Sequence, residues 1–439
     1  MENRVFRDSP ISDIQTVVKK IREIVLRCGL HYDPASGIQY FSGYGDSIFT
    51  CEAFFDIIAL NHMRIHPQLG INTLRVYLRQ ARENGHIPRH WDCEPAGSSP
   101  ANNYWSANRW RELEDEEHAQ PFLWQMALFI SRRGKSASWI TEEEYESLRR
   151  YLNLWVTEWD RDKNGLSEWA SAPHAMADTS FDRAGRWRSK YCEGVDLNCL
   201  LFVEFQAAEM IARSLGKNAD AIQFAKEAAL KKERIQTLLW DEKDGFFYDR
   251  DIRSGERIRV KAAHNFMPLW ARVATDDQVR RIVNEHLTDP SQFWTPYPVP
   301  SYARSEPNYT QYYQPAGSDP IWDLSTGHAN FQGGTWPQLN YLICHGLMNY
   351  GFRNEAQHIA RISFELAAAN PFLYEYFNAE TGKGMGGYPF WSGAQVLMSL
   401  LESELAGGFN PSEIKEVDSP LDSAPVWMAL GDAELFSGG

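Results

Sequence analysis

The chain has 439 residues, with 58 Asp and Glu against 44 Lys and Arg and a formal charge of −14. That sign argues against nucleic acid and anionic membrane as partners, and no run approaches the roughly 18 apolar residues of a membrane span. A hydrophobic content of 43% over this length fits one large globular domain or two ordinary ones.

Helical periodicity dominates in chain order. The spacing predicts helices near 12–28, 47–62, 71–84 and 119–133. Over 142–159, Tyr145, Leu148, Tyr151, Leu152, Trp155 and Trp159 recur at steps of three and four, behind a capping box of Thr141 and Glu144. Residues 196–215 repeat the pattern and stop at Gly216. Further helices are expected near 219–240, 257–272, 276–286, 336–349, 353–369 and 391–405. Strand-like alternation is rare. Residues 86–118 and 290–335 are Pro- and aromatic-rich and read as long functional loops.

About a dozen helices joined by loops short on one side and long on the other predict an all-α chain. The expected architecture is an (α/α)6 barrel, six inner and six outer helices with the long loops crowding one mouth. Residues 1–407 are read as a single catalytic domain and 408–439 as a C-terminal tail.

The aromatic content is high, at 16 Trp, 19 Tyr and 23 Phe. Aromatic rings stack on the flat C–H faces of sugars, and they also simply fill helical cores. Six cysteines lack CxxC spacing and read as buried free thiols in a reducing, cytoplasmic setting. The N-terminal Met-Glu-Asn-Arg-Val-Phe-Arg-Asp has no apolar core, so no secretory signal is expected there. Asp160-Arg-Asp-Lys-Asn-Gly165 has the opening spacing of a calcium loop, but Ser171 stands where a bidentate Glu is wanted, which favours an Asp/Asn/Gly turn.

Two carboxylates stand out in loops between helical stretches: Asp178 in Ser171-Ala-Pro-His-Ala-Met-Ala-Asp178, and Glu375 in Tyr374-Glu-Tyr-Phe-Asn378. Two carboxyl groups in an aromatic pocket are the minimum machinery for breaking a glycosidic bond. Asp46 reads as a helix-capping acid or as an acceptor for two sugar hydroxyls. Gln120 reads as a first-turn polar residue or a sugar contact. Trp336 reads as a ring-stacking platform or as filling of the barrel mouth. The scattered His174, His264, His328 and His345 leave a His-based epimerase open.

Several phrases are more specific. Gly85-His-Ile-Pro-Arg89, Gln120-Pro121, Cys192-Glu-Gly-Val-Asp-Leu-Asn198, Gly334-Thr-Trp-Pro-Gln-Leu-Asn-Tyr-Leu342, Gly346-Leu-Met-Asn-Tyr-Gly351 and Tyr374-Glu-Tyr-Phe-Asn378 occur in the order found in glycoside hydrolase family 63. From about residue 12 to 405 the chain resembles that family's short bacterial and plant members, the mannosylglycerate and glucosylglycerate hydrolases. The resemblance implies an (α/α)6 barrel and an inverting α-glycosidase, with Asp178 as general acid and Glu375 as general base. It implies sugar-binding roles for Tyr40, Tyr44, Asp46, Gln120, Trp336 and Trp391. The chain departs from the pattern at Gly45, Ala177 and Phe331, where relatives carry Trp, a Gly-Met-Asp phrase and Trp.

Inversion needs a protonated Asp178 and an ionised Glu375 with their carboxyls about 6.5–9.5 Å apart. Tyr374, Tyr376 and Trp391 are expected to position Glu375. A glycerate carboxylate would meet Arg183, Arg186 and Arg188 with Tyr191 assisting, and Arg304 is the second choice. The expected partner is a small carbohydrate, with no metal and no cofactor; homo-oligomerisation is left open. The rival readings are an α-glucosidase acting on short oligosaccharides or trehalose, and a sugar epimerase or non-catalytic sugar-binding barrel.

Overall fold

The computed structural model of the protein describes residues 16, 17, 20, 30–33, 37–42, 47–62, 67–92, 118–169, 191–311 and 330–386. Most of the expected helix at 12–28, the one at 391–405 and the tail at 408–439 lie outside them.

Among the described residues, ten α-helices alternate in burial. We number them α1 Thr50–His62, α2 Pro67–Leu78, α3 Leu123–Arg133, α4 Glu142–Thr157, α5 Val195–Ser214, α6 Asn218–Arg234, α7 Met267–Trp270, α8 Asp276–Arg281, α9 Pro337–Asn349 and α10 Arg353–Ala369. Two of them, α6 and α8, continue as π-type turns over Ile235–Leu239 and Ile282–Leu287. Helix α5 is buried over most of its circumference, and α9 is buried from Pro337 to Met348. By contrast α4, α6 and α10 bury one face each, as on α6, where the buried residues are Ala221, Phe224, Ala228 and Lys231. Odd-numbered helices therefore form an inner layer and even-numbered ones an outer layer.

Inner helices pack on one another in sequence. Phe54 of α1 stacks on Phe122 at the start of α3 at 4.6 Å, α3 packs on α5, α5 on α7 and α7 on α9. Tyr341 of α9 meets Phe55 of α1 edge-on at 6.0 Å. Three inner helices pair closely with the outer helix that follows them: α1 with α2 and, more extensively, α5 with α6 and α9 with α10. Repeated hairpins of this kind make the inner helices run in one direction, which is the arrangement of an (α/α)6 barrel.

Among the described residues the predicted helices are found with shifted ends and one failure. The segment expected at 47–62 opens as strand β3 Ser47–Phe49, paired with β4 His90–Asp92, before α1 begins. The helix expected at 71–84 lies at 67–78, because Pro67 pre-sets the first turn and Gly85, at φ +94, sits against the Arg150 backbone. The helix expected at 257–272 is absent. Strand β9 Arg257–Ile258 pairs instead with β8 Asp249–Asp251 across a turn at Gly255, leaving a 3-10 turn Ala263–Phe266 and the single turn of α7, whose Pro268 donates no N–H.

The remaining short strands are β1 Leu30–Asp33 with β2 Ile38–Phe41, β5 Cys192–Glu193 with β8, β6 Trp240–Asp241 with β7 Phe246–Phe247, and β10 Tyr376–Phe377 with β11 Gly384–Met385. The capping box of Thr141 and Glu144 is present in both directions. Cys51, Cys192, Cys199 and Cys344 are buried free thiols. No helix among the described residues is long and apolar enough to cross a membrane.

Buried polar groups tie the layers together. Glu204 of α5 accepts the Trp124 and Gln125 N–H groups of the first turn of α3, at 2.7 and 3.1 Å. Lys231 of α6 donates to Ser167 Oγ and Asn198 Oδ1, at 2.8 and 3.2 Å, joining α5 and α6 to the segment after α4. That segment turns at Gly165, whose N–H reaches Asp160 at 3.2 Å, and Arg250 spans from Asp162 to Glu193. Burial pushes the Glu204 and Glu168 carboxyls up to about 7 and the Lys231 ammonium down to about 8.

Glu204→Ala orphans two buried N–H groups, so urea unfolding should show a loss of roughly 3 kcal/mol. Ionised Glu204 is the costly form; its contribution to stability is complete below about 4.5 and is lost as pH rises through about 7. Thermal melts between about pH 5 and 8 should accordingly fall less steeply for Glu204→Gln than for the parent, and an equal slope would place the titration elsewhere. A methyl group on Gly346 of α9 would stand 2.7 Å from Leu269 Cβ and 2.8 Å from the Trp270 nitrogen. Gly346→Ala should thus cost about 1–3 kcal/mol by calorimetry, despite alanine's better helix propensity.

Candidate active site

Connections from inner to outer helices are short: 134–141, 215–217, 271–275 and 350–352. Those from outer to inner helices are long, and the candidate catalytic and substrate-binding residues read from the sequence lie on them, on the segment that leads into α1 or on the one that follows α10. Tyr40 and, outside the described residues, Tyr44 and Asp46 precede α1. Gln120 precedes α3. Tyr191 precedes α5, as do Asp178, Arg183, Arg186 and Arg188 outside the described residues. Trp336 precedes α9, and Glu375 follows α10 on the way to Trp391, also outside them. Because the inner helices run in one direction, these connections open on the same mouth.

Glu375 stands one residue before β10 and is 5% exposed. In the β10–β11 hairpin Tyr376 faces Met385, so the next pair outward sets Glu375 opposite Gly386. Gly386 adopts φ +73, and a Cβ there would stand 2.4 Å from Glu375 Oε2 and 2.6 Å from the Tyr376 ring. The carboxylate is therefore backed by a bare α-carbon. Neighbouring connections stitch the hairpin in place. Thr335 and Phe377 exchange both backbone hydrogen bonds, at 2.7 and 2.9 Å, and Pro300 bridges to Thr335. Gln311 donates to Gly333 O and accepts from Ala379 N, at 2.7 Å each. Asn340 of α9 holds Val299 N and Pro298 O at 3.1 and 3.0 Å.

Trp336 enters this construction as a packed ring. Phe331 lies parallel to it at 3.7 Å and Tyr376 at 4.7 Å, and the indole is 1% exposed. Arg304, the second choice for a glycerate carboxylate, is engaged elsewhere. Its guanidinium grips Glu380 at 2.6–3.0 Å, and the Tyr309 hydroxyl donates to the same carboxylate at 2.6 Å. Burial and Glu380 push the Tyr309 hydroxyl well above its ordinary range, and Glu380 holds Arg304 charged.

Gln120 is buried where α3 enters the mouth, on a segment pinned from three sides. Ala119 N donates to Ile87 O at 2.7 Å, the Tyr151 hydroxyl donates to Gln120 O at 2.7 Å, and Trp155 Nε1 to Ala119 O at 3.3 Å. Beside it His118 accepts from Ile87 N through Nδ1, so Nε2 carries the proton it donates to Tyr151 O at 3.0 Å. Burial, aided by His86, pushes His118 down to about 3, which keeps it neutral.

Tyr40 is buried in β2 against His31, with ring centroids 5.4 Å apart. Tyr191 is half-buried under the Arg253 guanidinium, which lies 4.6 Å from its ring and is itself held by Asp251. Direct contacts join Trp336 to the Glu375 hairpin, whereas Tyr40, Gln120 and Tyr191 stand on separate connections. The sequence reading passed over Gly386 and Gln311. Gly386 had a signal in the Gly384-Met-Gly-Gly387 run; Gln311 had none.

The family model described as the mannosylglycerate hydrolase MGH1-like glycoside hydrolase domain matches residues 46–392. Among curated proteins, the mannosylglycerate hydrolase of Rubrobacter radiotolerans is 31% identical over 199 residues, 44% of this chain and 40% of that protein. The cytosolic neutral trehalase of Kluyveromyces lactis is 27% identical over 179 residues, 39% of this chain and 22% of its own length. The chain thus spans less than half the length of either relative.

A solved structure of the glycoside hydrolase family 63 mannosylglycerate hydrolase from Thermus thermophilus, in complex with glucose, superposes with TM-score 0.66 at 17% identity. It covers 87% of this chain and 98% of the other. Neutral trehalase from Saccharomyces cerevisiae gives TM-score 0.59 at 15% identity over 90% of this chain and 82% of its own. At those identities the likeness is one of fold, the (α/α)6 barrel. With most of its length covered by the family model, the chain belongs to the mannosylglycerate hydrolase MGH1-like glycoside hydrolase family.

Proposed function

We propose that the protein is an inverting α-glycosidase that releases glucose or mannose from a small glycoside such as mannosylglycerate or glucosylglycerate. The observation that carries the reading is Glu375: a buried carboxylate, backed by Gly386 and held by hydrogen-bonded neighbours, at the mouth on which the inner helices open. A carboxylate whose direction is set by packing is suited to act as a general base.

In the proposed reaction Glu375 takes a proton from water as that water attacks the anomeric carbon. The bond to the leaving oxygen breaks, and Asp178 supplies the proton that oxygen needs. Sugar and glycerate leave with the anomeric configuration inverted. Asp46, Gln120, Tyr40, Tyr44 and Trp391 hold the sugar, while Arg188 with Tyr191 receives the glycerate carboxylate, since Arg304 is committed to Glu380. The buried thiols support a cytoplasmic setting. Hydrolysis of trehalose is the second reading, favoured by the trehalase relatives.

A panel of mannosylglycerate, glucosylglycerate, trehalose, kojibiose and nigerose, followed by NMR, should give the highest kcat/KM on a glycerate glycoside with the β-anomer as first product. Fastest turnover of trehalose would move the assignment to the second reading, and an α-anomer as first product would end inversion. Asp178→Asn and Glu375→Gln should each lower kcat on the order of 10²–10⁴-fold, whereas an epimerase that does not use them would keep its rate. Gly386→Ala should cost about 10²-fold in kcat, beyond a stability loss of about 1–3 kcal/mol, because its methyl displaces the carboxylate directly.

A further inference from the structure

A tryptophan that binds a sugar by stacking needs one open face. Phe331 lies 3.7 Å from Trp336 with 9° between the planes, and Tyr376 lies 4.7 Å away with 13°. At those separations two parallel rings cannot share one face of an indole without colliding, so they cover opposite faces. The backbone makes this arrangement stiff. Thr335 and Phe377 are a doubly hydrogen-bonded pair, so Trp336 and Tyr376 are carried past one another on adjoining strands. Tyr376 is the residue after Glu375, and both of them touch the place where a Gly386 side chain would stand.

We propose that Trp336 is a positioning residue. The stack Phe331–Trp336–Tyr376 fixes the base of the β10–β11 hairpin and, through Tyr376, the direction of the Glu375 carboxylate; the indole does not serve as a sugar platform. This rests on the reading of Glu375 as general base. It also gives a role to Phe331, the position where relatives carry Trp. The outer plate of the stack needs a flat aromatic ring, and Phe supplies one.

The test separates positioning from binding by comparing two reactions at one site, using the better of mannosylglycerate and glucosylglycerate as substrate. Phe331→Leu should lower kcat about tenfold with KM held within about twofold, and Phe331→Trp should restore it. Glu375→Ala removes the base. Azide then replaces water as the attacking nucleophile, and it forms the glycosyl azide while Asp178 protonates the departing glycerate oxygen.

In that background Phe331→Leu should change the azide-supported rate by less than about twofold, since the group it positions is gone. That arm also reports that the double variant is folded and binds substrate. If Phe331→Leu instead raises KM at constant kcat, or costs the same factor in both backgrounds, positioning is overturned while the base assignment stands. Hydrolysis that survives Glu375→Ala, or a Glu375→Ala protein that azide does not revive, overturns the base assignment and this proposal with it.

Discussion

Every inner helix starts inside the protein, where its first N–H groups cannot reach bulk water and must find acceptors within the chain. Each helix finds a different one. At α1, Thr50 N reaches Arg89 O at 3.1 Å. At α3 the acceptor is the Glu204 carboxylate. At α5, Asp249 takes Val195 N at 2.7 Å and Asp196 takes Leu197 N at 2.8 Å. Before α7, Ser301 O receives Ala263 N at 2.8 Å, and α9 avoids part of the demand by beginning with Pro337.

Because three of those acceptors, Arg89, Asp249 and Ser301, come from the long connections, satisfying the helix starts also fixes segments around the mouth. The same logic extends outward as a run of isolated bridges. Ala262 pairs with Tyr302, Pro300 with Thr335 and Thr335 with Phe377, and β10 then pairs with β11. Four segments far apart in sequence are thus joined by backbone hydrogen bonds into one irregular ladder, with Glu375 at its edge. Side chains that also serve the mouth, such as Gln311 and Asn340, close the gaps where backbone pairing stops. The result is a rim of loops with the rigidity of a sheet, which a site that must aim a carboxylate within a fraction of an ångström requires.

Much of the barrel was legible in the sequence because amphipathic helices repeat a period over many residues. Helix α4, with its capping box and its Tyr and Trp stripe, is the clearest instance. The stretch at 257–272 misled because its apolar content is not periodic; a β-turn at Gly255 and the lack of an N–H at Pro268 decide its structure. Strands of two to four residues are too short to display alternation, so the ladder at the mouth was invisible. At the candidate site, Glu375, Gln120 and Trp336 were singled out by local phrases, and their place on the same side of the helices followed from the asymmetry of loop lengths. What could not be read was Trp336's surroundings, since its covering rings come from two connections and their parallel fit depends on strand pairing across the mouth. For the same reason Arg304 was free in the sequence and paired in the structure.

Lys20 draws the two extremities of the domain together. Its ammonium donates to the carbonyls of Ala367 and Ala368 at 2.9 and 3.0 Å, and also to Asn370, at the end of α10, across separations of 347 to 350 positions. The hairpins between are local and can assemble as they leave the ribosome, whereas this contact must wait until nearly the whole barrel has been synthesised. During translation the surface that Lys20 covers therefore stays open until the end of α10 has left the ribosome.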